Sequence, residues 1–352
     1  MNNPLEITFE ESLKLPNPLY VDVRAPIEYD EDHIPGAINL PIFNNDERKE
    51  VGTLYKVLGK DEAVKRGAEI GGKRIVDIIK SLTDIKDKTI IIYCFRGGMR
   101  SASVASIISS LGIKAYKIKG GYKSFRRSVL EHLSTEIIKP KIFILQGLTG
   151  SGKTEILRLL NNSIDLEAMA GHRSSVFGGI GLRQSSQKFF ESSLWHRLEE
   201  LKNEKFIVLE GESKKIGNLH IPENIFKQMK EGCMINIEAP IEKRIEIIKN
   251  EYTGFNEYTE FNEYTEFNEK ETILKIVNSL RSKLGSKKTD MLIEFYNNGN
   301  IDEFIKILLL DYYDILYKHT LDKYEYIDTV INYNSAETGD KILKIINKYT
   351  AI

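Results

Sequence analysis

The stretch "KIFILQGLTGSGKT" constrains this chain more than any other. Its apolar run reads as a buried strand, and the segment that follows satisfies G-x-x-x-x-G-K-[ST] in full, from Gly147 to Thr154. "TEILRLLNN" continues with helical spacing. Strand, glycine loop and helix in that order imply an α/β domain with a mainly parallel sheet. The backbone around Gly147, Gly150, Ser151 and Gly152 is expected to cradle a diphosphate. Lys153 is placed to reach a terminal phosphate, and Thr154 is the one residue placed to hold Mg²⁺. The acidic partner is open: Glu210 and Glu212 in "FIVLEGES" and Asp165 in "IDLE" all qualify. The loop therefore predicts a diphosphate ligand more firmly than it predicts nucleotide hydrolysis.

Further strands are expected at "FIVLEGE", "CMINIEAP" and "YIDTVIN". The last follows a long helical stretch, so residues 241–322 read as a helical insertion in a domain spanning 140–352. That insertion contains "EYTGFN EYTEFN EYTEFN", a low-complexity repeat expected to form an exposed arm or helix extension and to leave the sites untouched. Two clusters follow strands in this domain, where ligands tend to bind. "DLEAMAGHRSSVFGG" carries His172 and Arg173, and "LEGESKKIGNLHIP" carries Glu212, Lys214 and Lys215.

With 352 residues there is room for a second domain upstream, 1–135. Its strands are expected at "YVDV", "TIIIYC" and "KAYKI", with helices over 60–82 and from about Ser101 to Leu111. "YCFRGGMRS" puts a cysteine at a strand end and an arginine six positions later. Backbone N–H groups of such a turn, with Arg100 and Arg96, favour the thiolate of Cys94. Gly97 and Gly98 are expected to take the unusual backbone angles of that turn. Asp22 and Arg24 read as a structural ion pair. The only cysteines are Cys94 and Cys233, which predicts no disulfide framework and fits a reducing cytoplasm. The N-terminus has neither a basic start nor an apolar core, and no apolar run is long enough to span a membrane.

The net charge of −1 gives no overall bias toward nucleic acid, so any RNA contact must be local. "KAYKIKGGYKSFRR" has six basic residues and no acid, interleaved with Tyr116, Tyr122 and Phe125. Lys117, Lys119, Lys123, Arg126 and Arg127 are expected to contact phosphates there while the aromatic rings stack on bases. "RSKLGSKK" (281–288) is a weaker candidate.

"YVDVRAPIEYDEDHIPGAINLP" and "YCFRGGMRS" resemble the rhodanese superfamily, whose cysteine carries sulfur as a persulfide. The five residues between Cys94 and Arg100 make a longer loop than the usual sulfurtransferase one, a spacing also seen in related cell-cycle phosphatases. A rhodanese-like domain upstream of a P-loop domain resembles the bacterial tRNA 2-selenouridine synthase family nearly end to end. "YCFRGGMRSAS", "KGGYKSFRR", "LQGLTGSGKT", "DLEAMAGHRSSVFGG" and "LEGESKKIGNLHIP" carry that resemblance. It implies a cytoplasmic transferase that replaces sulfur by selenium in wobble 2-thiouridine of tRNA. The implied co-substrates are selenophosphate and geranyl diphosphate, with no tightly bound cofactor and a selenophosphate-producing enzyme as donor partner. Cys94 would carry selenium as a perselenide, and the P-loop would hold the diphosphate of the geranyl donor. Two rivals stay open. One is a sulfurtransferase or Cys-dependent phosphatase fused to an ATP-dependent kinase. The other is a rhodanese-like binding module under nucleotide control.

Overall fold

A computed structural model describes residues 5–83, 85, 87–252 and 269–350. It divides into two units, Met1–Thr135 with Ser186–His196, and Glu136–Ser185 with Arg197–Ile352.

The first unit is built on strands β1 (Leu5–Ile7), β2 (Pro18–Asp22), β3 (Ile38–Asn39), β4 (Thr89–Tyr93) and β5 (Ala115–Ile118). All are parallel, in the order β1-β5-β4-β2-β3. The β4 run is apolar throughout because it is the central strand, covered on both faces, and Ile90 to Tyr93 are fully buried. Helices Met99–Ser110 and Lys60–Thr83 pack on it through Val104, Ala105 and Ile108 and through Ile78 and Leu82. Parallel strands end together, so β2 and β4 deliver Asp22 and Cys94 to one edge of the sheet.

Segment Ser186–His196, inside the 140–352 range expected for the second domain, groups with this unit. Trp195 packs on Phe9 and Phe125 at ring distances of 5.6 and 5.8 Å. The Ser192 hydroxyl donates to the buried Asp32 carboxylate (3.0 Å), which also accepts from the Tyr122 hydroxyl (2.8 Å). Ser186–His196 runs into the helix Gln187–Leu201, and local sequence does not say which core such a helix joins.

The second unit runs β6 (Lys141–Gln146), β7 (Ser163–Ile164), β8 (Phe206–Glu210), the antiparallel hairpin β9 (Lys215–Ile216) and β10 (Leu219–His220), β11 (Cys233–Glu238) and β12 (Tyr326–Ile331). Its parallel sheet has the order β12-β11-β6-β8-β7. Phe143, Leu145, Val208, Ile235 and Ile237 form the core with Ile156 and Leu157 behind the glycine loop. Between β11 and β12 lies a set of helices from Ile241 to Leu321, with a core of its own around Ile273, Leu292, Phe304 and Tyr312. Within it Ile301–Leu308 passes through a π-helical turn, Leu309–Tyr313, into Asp314–Leu321. The hexapeptide repeat lies outside the described residues except for its first two, Glu251 and Tyr252. Among the described residues no helix is long and apolar enough to cross a membrane.

Candidate active sites

Cys94 follows β4 directly and is only 3% exposed, with its Sγ 3.2 Å from the Ser101 Oγ. Only one of the two loop glycines is conformationally demanding. Gly97 has φ +65°, and a Cβ there would lie 2.5 Å from the Ile118 carbonyl oxygen. Gly98 has φ −89° and ψ −148° and stands at the N-cap of helix Met99–Ser110, where a Cβ would meet nothing within 4 Å. The loop is braced from behind by residues the sequence had assigned to RNA. The N–H of Tyr122 donates to the Cys94 carbonyl (2.9 Å) and that of Lys123 to the Phe95 carbonyl (3.1 Å). Gly121, at φ +58°, passes so close that a Cβ would meet the Cys94 oxygen at 2.1 Å.

Arg100 does not face the cysteine loop as an unpaired cation. Its Nη1 donates to the Glu28 Oε2 (3.0 Å), which also accepts from Arg48 (3.2 Å). Burial pushes the Glu28 carboxyl up, but Arg100 and Arg48 outweigh it and hold the group below the usual carboxylate range. An arriving anion therefore competes with Glu28 for Arg100. Glu28 sits two residues beyond Pro26, and nothing in its local sequence marks it as a partner of Arg100, 72 positions away. Arg24 and Asp22 form the expected buried ion pair, and Arg24 lies 3.9 Å from the centre of the Tyr122 ring.

In the second unit, Gly150 and Gly152 have φ +78° and +89°, so the glycine loop needs glycines at these positions. Its outer carbonyls are tied down. Arg244 Nε donates to the Thr149 carbonyl (2.9 Å), and Asn332 Nδ2 donates to that of Ser151 (2.9 Å). Lys153 Nζ bonds the Gly147 and Leu148 carbonyls at 2.9 and 3.2 Å, inside the loop it would leave for a phosphate. The Thr154 hydroxyl donates to Glu210 Oε2 (3.0 Å) and lies 3.5 Å from Glu167.

Glu167, Glu210 and Glu212 converge, with one carboxylate oxygen from each within 4.8 Å of the others. Glu210 Oε1 is buried without a hydrogen-bond partner among the described residues. Burial first, then the neighbouring carboxylates, pushes Glu210 well up. Burial and Glu167 push Glu212 to about 7. An all-oxygen set with one desolvated carboxylate oxygen still unpartnered among the described residues suits a hard divalent cation. Of the three acids proposed from sequence, Glu210 and Glu212 join this cluster. Asp165 instead caps helix Leu166–Ala170 through the Ala168 N–H (2.8 Å) and pairs with Arg158.

A model of the tRNA 2-selenouridine synthase AAA domain matches residues 140–347, and a rhodanese-like domain matches residues 8–128. The chain belongs to the tRNA 2-selenouridine synthase family. It is 34% identical to the tRNA 2-selenouridine synthase of Hydrogenovibrio crunogenus over 336 residues, which is 89% of this chain and 92% of that one. It is 33% identical to the enzyme of the same name from a Sulfurovum species, over 89% of this chain and 91% of that one. A solved N-terminal domain of an ATP/GTP-binding protein from Clostridium difficile 630 is 46% identical over 35% of this chain and 98% of its own, with a TM-score of 0.34.

The remaining predicted residues separate into engaged and exposed ones. Arg173 bonds the carbonyls of Ile180 (3.1 Å) and Glu251 (2.7 Å) and stacks on Tyr252, so the first residues of the repeat are part of this site after all. Burial and Glu167 push Glu251 to about 7. His172 lies beside Gly178, Gly179 and Gly217, and burial lowers its imidazole. Lys214 pairs with Glu223.

In the basic stretch, Lys117 is buried against Glu6, and Arg126 is buried against Glu191, Asp32 and Ser192. Tyr122 and Phe125 are core residues, unable to stack on bases. They alternate with the exposed positions because the segment is a strand followed by a helix, each with a buried face. Lys119, Lys123 and Arg127 remain exposed, and Arg96 and Lys123 both lie near the Phe95 ring (5.8 and 5.7 Å). In the weaker stretch Arg281 pairs with Asp290, and Lys288 with Asp311.

Proposed function

We propose that this protein is a tRNA 2-selenouridine synthase that works in two steps, with the diphosphate loop serving the first and Cys94 the second. The observation that carries the reading is a complete glycine-lysine loop and a cysteine loop, each braced by hydrogen bonds within its own unit, in one chain of this family. In the first step, sulfur of wobble 2-thiouridine attacks C1 of geranyl diphosphate, the C–O bond breaks and diphosphate leaves. Lys153 exchanges its two loop carbonyls for phosphate oxygens and stabilises the charge that grows on them. Glu167, Glu210, Glu212 and the Thr154 hydroxyl would hold Mg²⁺, which supplies further charge neutralisation there when bound.

In the second step, selenium supplied by selenophosphate adds at C2 of the uridine and geranyl thiol leaves. With water consumed and phosphate released, the net exchange has no redox change. A perselenide on Cys94 lies two electrons above selenide, and neither selenophosphate nor water supplies that oxidation, so selenium reaches C2 at the selenide level with the Cys94 loop beside the reacting carbon. The exposed Arg96, Lys119, Lys123 and Arg127 would contact the RNA backbone beside the cysteine loop.

The test is nucleoside mass spectrometry of 2-thiouridine tRNA incubated with the full chain, geranyl diphosphate and selenophosphate. S-geranyl-2-thiouridine followed by 2-selenouridine is expected. ATP turnover with an unchanged nucleoside would instead identify the fused sulfurtransferase–kinase or phosphatase–kinase.

A further inference from the structure

Beside the phosphate loop lies a cavity of about 490 Å³ that the diphosphate alone leaves without a role. Thr149 of the loop forms one edge, and Ile248 crosses from that edge to Gly150, where a Cβ would sit 3.1 Å from the Ile248 Cδ1. Ser175 forms another edge, next to Ser174, whose N–H holds Glu167 at 2.5 Å. The cavity thus adjoins the diphosphate loop and the acidic cluster. Its floor is Phe177, Phe304, Ile305, Leu308, Leu309 and Tyr313, each at most 7% exposed. Five of these come from the helix Ile301–Leu308 and its π-helical continuation, a departure that recurs at functional sites.

Several polar groups around this chamber are already paired. The Ser175 hydroxyl bonds the Tyr252 hydroxyl (2.9 Å), and at the exposed mouth Lys249 pairs with Asp302 (2.8 Å). A nucleobase would bring several donors and acceptors against a mainly apolar floor, and each one left unpaired there weakens binding. A hydrocarbon has no such groups.

We propose that this cavity receives the hydrocarbon tail of a diphosphate ester, so that the helical insertion selects donor chain length; the inference rests on the diphosphate reading of the loop. Taking about 30 Å³ per water-sized group, ten carbons need about 300 Å³ and twenty about 600 Å³. A ten-carbon tail fits the 490 Å³ available, and a twenty-carbon tail would run past it through the exposed mouth. Each added carbon that is fully buried should tighten binding up to about fourfold until the cavity is full.

The test is calorimetric binding to the full chain of inorganic diphosphate, ATP, and the dimethylallyl, geranyl and geranylgeranyl diphosphates. Ile301, half-buried on the cavity wall, is varied in both directions. Geranyl diphosphate should bind at least tenfold more tightly than the dimethylallyl ester, with no further gain for the twenty-carbon ester. Ile301→Trp should lower geranyl diphosphate affinity at least tenfold and leave inorganic diphosphate unchanged. Ile301→Ala should move the optimum to a longer chain. If diphosphates bind and tail length has no effect, or if Ile301→Trp weakens diphosphate and ester equally, the cavity assignment fails while the diphosphate reading stands. If ATP binds and none of the esters does, both fail.

Discussion

Replacing Gly121 by alanine should disable the cysteine loop without altering any residue in it. Gly121 has φ +58°, and its missing Cβ would lie 2.1 Å from the Cys94 carbonyl oxygen and 2.4 Å from the Gly97 nitrogen. Both atoms are backbone, so no side-chain rotation relieves the overlap. The left-handed conformation itself costs a residue with a Cβ about 1–2 kcal/mol. Moving the loop away breaks the Tyr122 N–H bond to Cys94, worth about 1 kcal/mol more. The sum, about 2–3 kcal/mol, corresponds to a fall of about 4–12 °C in the Tm of this unit. Gly112 is the matched control. Its φ is +81°, but a Cβ there meets nothing within 4 Å, so Gly112→Ala should cost only the conformational part. Differential scanning calorimetry gives the stabilities, and nucleoside mass spectrometry gives the two products. Gly121→Ala should make S-geranyl-2-thiouridine and little 2-selenouridine, while Gly112→Ala should make both. Equal Tm values for the two variants, or full selenation by Gly121→Ala, would refute the bracing argument.

Three other outcomes are expected. Cys94→Ser should accumulate S-geranyl-2-thiouridine, whereas Lys153→Ala should lose geranylation yet convert pre-geranylated tRNA; loss of geranylation in a folded Cys94→Ser would collapse the two-site scheme. Glu210 and Glu212 hold protons more tightly folded than unfolded, so the metal-free chain should lose stability as pH rises from about 4.3 toward 7. Mg²⁺ should then raise the Tm at pH 8 far more than at pH 5.5, and the gain should vanish in Glu210→Gln; an equal gain at both pH values counts against the carboxylate site. Neutralising Lys123 and Arg127 together should flatten the salt dependence of tRNA binding by roughly two units of slope, one per lost phosphate contact. Lys117→Ala and Arg126→Ala should instead lower stability, since both side chains are buried in ion pairs, and a reversed pattern would restore the original patch.

Local sequence determined whatever depends on neighbours along the chain. The strand–loop–helix of Lys141–Arg158 and the cysteine at the end of β4 were legible because a buried central strand needs a continuous apolar run and a phosphate loop needs glycine at φ above zero. The helical character of the insertion was legible from its periodicity. Tertiary structure alone decided which distant groups meet. Glu28 reaches Arg100 across 72 positions, Asn332 reaches Ser151 across 181, and Ser192 reaches Asp32 across 160. It also decided that Lys117 and Arg126 are interior while Lys123 and Arg127 are not, because an ion pair with a remote acid lets a charge enter the core. A spacing rule reports the face a residue occupies on its own element; whether that face meets water, a carboxylate or a phosphate depends on elements that fold against it from elsewhere in the chain.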